Sequence, residues 1–268
     1  MGKRTSENSE IGLKESLLRV MDRKNHWGWE FLAGPKLTRP QLLIHFQQEY
    51  EVYVRDFPIF LARILGRMDS GSILLKREFA ENLYEEQTGG ISQKISKGRS
   101  HPELFLKMMR GLGYPEKSFR EIEFLPTTLA YRCFLDKVTF LDDWRIAAAI
   151  MTLFVEGSVN DRKRMSKSYR DTATLKQKLK NHAMIRYYGL KERDADLIKV
   201  HHAVEGGHRK SAWETVLQTI PSDLEVTLVK RMEEALELWL LFRDGVCVEM
   251  DLESRDFKEH IDSIGLKM

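Results

Sequence analysis

Cysteine is almost absent: Cys133 and Cys247 are the two such residues in 268, with no CxxC spacing and no neighbouring histidine cluster. That argues against a disulfide framework and a cysteine zinc site. Both are expected to be reduced core residues within apolar helical patterns. No charge sign dominates either. Forty-three Lys and Arg stand against 40 Asp and Glu, a net charge of +3, so the overall balance demands neither nucleic acid nor an anionic membrane as partner. Long apolar runs are missing, since none approaches the roughly 20 residues needed to span a bilayer. The first ten residues, MGKRTSENSE, are polar and contain no signal-peptide core. A cytoplasmic location is therefore expected. Internal repeats, low-complexity tracts and a Ser/Pro/Gly-rich linker are absent as well, which leaves one domain.

What is present is helical periodicity. Apolar residues recur at spacings of three and four: Leu13, Leu17, Val20 and Met21; Leu42, Phe46, Tyr50, Tyr53 and Phe57; Leu75, Phe79 and Leu83. Alternating strand patterns are lacking. Ser100, His101, Pro102 and Glu103 predict a capping box with proline in the first turn, and Ser222 with Glu225 repeats the signal after Pro221. Breaks at Gly34-Pro35, Gly71, Gly89-Gly90, Gly98, Gly113 to Pro115, Leu125-Pro126, Gly189 and Pro221 divide the chain into eight or nine helical segments. The expected organisation is a frayed tail over residues 1–8 and one all-α domain over 9–268.

Chemistry concentrates in HHAVEGGH, where His201, Glu205 and His208 follow one another at spacings of four and three. On a helix these offsets rotate side chains by roughly 400° and 700°, so all three share one stripe. The outer histidines stand roughly 10 Å apart along the axis, too far for easy chelation of one ion. Two adjacent metals, with Glu205 between the histidines, fit better. Gly206 and Gly207 each cost about 1 kcal/mol relative to alanine inside a helix, so this segment is expected to be ordered by metal.

A dinuclear site needs further inward-facing ligands from other helices. Glu156 ends an apolar stretch that starts at Ile146 and is expected to be buried, where an acid needs a partner. Glu86 falls on the face of Phe79 and Leu83, with Glu85 turned outward as the alternative. His101 opens the next helix, and Glu49, on the face of Phe46 and Tyr50, is a further candidate against the plainer reading of a surface acid. Glu86, His101, Glu156, His201, Glu205 and His208 form a three-carboxylate, three-histidine set, suited to iron or manganese more than to calcium or copper. A basic stretch from Arg162 to Lys180 reads as a solvated face, with attraction of a carboxylate substrate or acidic carrier as the alternative.

The order FPIFLARIL, ENLYEEQTGG, HPELF, Glu156, YYGL and a histidine helix resembles the haem-oxygenase-like di-iron oxidases and oxygenases, relatives of PqqC, TenA and the chlamydial protein associating with death domains. The resemblance covers roughly residues 25 to 250, and its most specific part is H-x3-[DE]-x2-H at His201, Glu205 and His208. It implies a compact bundle of about seven to nine helices around a central cavity. It also implies Glu86 and His101 at the first acid and histidine positions, Glu156 at the middle glutamate, and Glu86, Glu205 and Tyr188 as the catalytic set. The implied cofactor is an Fe(II)/Fe(III) pair, with manganese as the alternative metal and O2 as co-substrate. The implied substrate is a small amino-acid-like or fatty-acid metabolite, and the implied partner an electron donor or reductase, with a homodimer as a candidate assembly.

Three departures stand out. The loop between Glu86 and His101 is long, the stretch from Glu156 to His201 carries the basic insertion, and Glu205 replaces the commoner aspartate. TenA-type hydrolysis is set aside because neither cysteine has a matching neighbourhood. A metal-free PqqC-like oxidase, its cavity furnished by Tyr131, Tyr187, Tyr188 and Arg186, is one competing reading, and a non-catalytic partner-binding module is another. Acids buried around histidines favour the metal.

Overall fold

The computed structural model describes residues 3–166, 169, 172–204 and 209–252. Among them there is no strand; the principal helices are α1 (Lys3–Asp22), α2 (Arg39–Glu49), α3 (Phe57–Arg67), α4 (Ile73–Thr88), α5 (His101–Gly111), α6 (Pro126–Leu141), α7 (Trp144–Ala149), α8 (Asp196–Val204), α9 (Arg209–Leu217) and α10 (Glu225–Glu249). Single helical turns fill several connections, so the bundle has more and shorter elements than periodicity alone suggests. The all-α, single-domain reading holds. No described helix is long and apolar enough to cross a membrane.

Helix α1 begins at Lys3, so most of the polar stretch expected as a tail is helical. The capping box at the start of α5 is present: Ser100 Oγ accepts from Glu103 N, and Ser100 N donates to Glu103 Oε2. The second expected box is not. Helix α10 starts at Glu225 with Leu224 as its N-cap and no side-chain cap. The core is aromatic, with Phe60, Tyr131, Phe154, Trp213 and Phe242 fully buried. Helix α10 runs through its centre against α6, so closely that a Cβ on Gly245 would stand 2.0 Å from Thr127 Oγ1. Of the cysteines only Cys247 is buried; Cys133 is exposed, on the outward face of α6.

Two helices change winding partway. Helix α2 continues as a π-helical turn over Tyr50–Val54, and α7 as another over Ile150–Val155. A π turn inserts a residue into the ladder and re-aims the side chains beyond it, commonly at functional sites. Here each adjoins a cavity, and the second delivers Glu156.

Candidate metal centre

A cavity of about 280 Å³ opens between α4, the head of α5, the π turn after α7, α8 and α9. Its wall includes Glu86, His101, Glu156 and His201, so four of the six expected ligands meet there from four separate elements. Leu75, Phe79 and Ile91 form the apolar part. Glu205 and His208 lie outside the described residues, and Gly206 and Gly207 with them. Among the described residues no three acidic, histidine or cysteine side chains already converge on one point.

His101 reaches the cavity because the loop before it folds back on α4. Gly89 ends α4 at φ 60° and donates its N–H to Glu85 O. A Cβ there would stand 2.4 Å from Arg99 O, so only glycine lets the chain pass. The Glu85 carboxylate ties the same loop, accepting from Ile91 N at 2.7 Å, Ser92 N at 3.0 Å and the Ser92 hydroxyl. Burial pushes Glu85 up, but the Ser92 and Ile91 donors and the His101 charge outweigh it and hold the carboxyl below its usual range. Glu85 therefore does not turn outward. It is 2% exposed, and its oxygens are engaged by the loop.

Glu86 faces His101, whose Nδ1 donates to Glu86 Oε1 at 2.8 Å. His101 Nε2 is buried without a hydrogen-bond partner, 3.5 Å from Glu85 Oε1. Burial lowers the His101 pKa, yet the Glu86 bond and the two carboxylate charges outweigh burial and raise it. The His201 ring lies 5.3 Å from that of His101. Helix α8 is fixed there by Asp196 in its first turn, which accepts from Lys107 of α5 and from Lys199. Burial raises the Asp196 pKa, but these two lysines more than reverse that. Opposite, Thr215 of α9 donates to Glu78 of α4 at 2.8 Å.

Glu156 stands at the end of the π turn and is exposed to the cavity rather than buried as expected. The apolar run does enter the core, as Leu153 and Phe154 show, but the turn ends one residue before the acid and lets its side chain out. Asn82 Nδ2 donates to Glu156 Oε1 at 2.7 Å and so bridges α4 to this turn. Sequence reasoning singled out neither this oriented amide nor Thr152, Glu78 and Glu81, which share the wall. Asn82 continues the buried face of α4, which was the available signal.

Two assignments need correction. Tyr188 does not line this cavity: its hydroxyl donates to Gly34 O at 2.6 Å and accepts from Leu37 N, stapling the loop before α2. Glu49 is neither a ligand here nor a surface acid. It is buried beneath Arg243, bonded to that guanidinium and to the Tyr53 hydroxyl. Tyr131 lines a different cavity, and Arg186, Tyr187 and Tyr188 line neither, so the tyrosine and arginine set of the metal-free reading does not gather. In the basic stretch, Arg162 pairs with Glu15 and Asp22 of α1.

The donor set fits iron. The Glu86 and Glu156 carboxylates and the His101 and His201 imidazoles share the cavity wall, His101 keeping a buried nitrogen without a hydrogen-bond partner, and mixed carboxylate and imidazole donors suit non-haem iron or manganese.

Solved structures share this architecture. A TenA homologue from Pseudomonas syringae pv. tomato superposes with a TM-score of 0.64 at 12% identity, covering 89% of this chain and 92% of that one. A TenA family transcription regulator from Silicibacter sp. TM1040 gives 0.50 at 15% identity, covering 90% and 95%. No curated protein matches in sequence. The fold is thus a haem-oxygenase-like, TenA-like helical bundle. Residues 44–240 match the family of iron-containing redox enzymes, and the chain belongs to that family.

Proposed function

We propose that the protein is a non-haem di-iron oxidase or oxygenase that uses O2 to oxidise a small organic metabolite, amino-acid-like or a fatty acid. The observation carrying this reading is the meeting of Glu86, His101, Glu156 and His201 in one cavity, with a buried His101 nitrogen lacking a partner. Those four residues, with Glu205 and His208, would hold the metal; manganese is the alternative ion. Bound iron would supply reductive activation of O2, and turnover would require electrons from a reductase or small donor.

The chain's own groups have separate tasks. Glu86 holds the His101 ring, and Asn82 orients the Glu156 carboxylate. Leu75, Phe79 and Ile91 keep part of the wall dry, which strengthens electrostatic interactions inside it. Glu85 keeps the 89–92 loop closed behind His101.

Anaerobic titration with Fe(II) tests the reading. Two irons per chain are expected, falling in His101→Ala and His201→Ala, with O2 consumed once a reductant is added. Absence of iron uptake, or uptake unaltered in His201→Ala, overturns it.

A further inference from the structure

A second cavity, about 260 Å³, lies on the other side of the segment that delivers Glu156: Val155 and Gly157 line it, whereas Glu156 between them lines the first. Its wall holds four aromatic side chains, Trp29, Tyr53, Tyr131 and Trp239, and two cations, Lys24 and Arg243. No carboxylate lines it among the described residues. Arg243 is its most unusual group, with a side chain only 7% exposed. The guanidinium sits 4.7 Å from the Trp29 ring and 5.2 Å from Trp239. One of its terminal nitrogens serves Glu49 and the other the Tyr53 hydroxyl, while Nε has no hydrogen-bond partner. The Lys24 ammonium donates to the Phe154 and Gly157 carbonyls at the end of the π turn and brings a second positive charge to the same wall.

We propose that this second cavity is a binding site for a small aromatic carboxylate, separate from the candidate metal centre. An anion is called for because two cations, Lys24 and Arg243, line the space and no acid does among the described residues. A flat ring is called for because indole and phenol faces make up the rest of the wall and favour offset or edge-on packing with another ring. The volume lies just below the range of drug-sized pockets, which selects a ligand of one ring. Glu49, bonded to the guanidinium, keeps the arginine in place.

Titration of the full-length protein with benzoate, followed by tryptophan fluorescence and calorimetry, tests the site. Saturable binding is expected, at least tenfold tighter than for neutral benzamide and for aliphatic hexanoate. Val159→Trp, at the half-exposed rim, should weaken benzoate at least tenfold, whereas Glu86→Gln in the first cavity should leave it unchanged. Benzamide or hexanoate binding as tightly as benzoate, no saturable benzoate binding, indifference to Val159→Trp, or loss in Glu86→Gln each overturns the proposal. The wild-type comparison needs no variant to fold, and none of these readouts depends on iron or on turnover.

Discussion

Adjacent glutamates at the end of α4 have opposite duties. Glu85 is a structural acceptor for the returning loop, and Glu86 faces the imidazole of His101. Glu85→Gln loses a charge-assisted set of bonds, worth about 2 kcal/mol of stability, and should retain iron stoichiometry. Glu86→Gln should do the reverse, unfolding in denaturant close to wild type while binding less iron. Urea unfolding and metal analysis on the same two preparations check the pair, and a Glu85→Gln protein of full stability with reduced iron would swap the roles. Period-3.6 reasoning places Glu86 on the correct face, because Phe79 and Leu83 define it. It misplaces Glu85 because the helix ends four residues later and the loop doubles back over a side that a helical wheel treats as solvent. Tyr188 fails for a related reason: a sequence motif near the site says nothing about which backbone groups a hydroxyl will find.

At the level of elements, local chemistry is legible and irregular winding is not. The Ser100-Glu103 cap and the Gly89 break can be read directly, since capping and positive φ are properties of a few neighbouring residues. The π turns over Tyr50–Val54 and Ile150–Val155 leave no such mark. One inserted residue rotates everything after it by about 100° relative to an ideal helix, so the apolar run from Ile146 predicts a buried Glu156 while the fold turns it to the cavity. The Gly89 turn yields the element-scale test. Alanine there would face φ 60° and a carbonyl oxygen at 2.4 Å, so Gly89→Ala should destabilise by more than the ~1 kcal/mol typical of a left-handed site. It should also weaken iron binding, because the same turn carries the chain to His101. Calorimetric melting and iron titration of the variant would show both losses together; a melt unchanged from wild type would refute the account.

Across the whole molecule, the bundle is held at its centre by a polar cluster that none of the motif reasoning foresaw. His45, Glu49, Tyr53 and Arg243 join α2 and its π turn to α10, with the Trp29 and Phe46 rings against the imidazole. Such a cluster cannot be read from sequence, because α2 and α10 are almost 200 residues apart and each polar side chain taken singly looks like a surface group. It has a consequence for pH. Burial depresses His45 to about 4, opposed by the Glu49 charge and aided by Arg243. In the unfolded chain the imidazole titrates near ~6.5, so between those values the unfolded state binds a proton that the folded state refuses. Stability therefore falls as pH drops below about 6.5, and the single-group penalty reaches about 2 kcal/mol at pH 5. Burial raises Glu49, but Arg243, His45 and the Tyr53 bond outweigh it, so this carboxyl titrates below its ordinary range and stays charged throughout the interval. Denaturant unfolding at pH 7 and pH 5 should show the loss, and His45→Gln should shrink it by about that amount. An undiminished difference in the variant would assign the acid sensitivity to other groups.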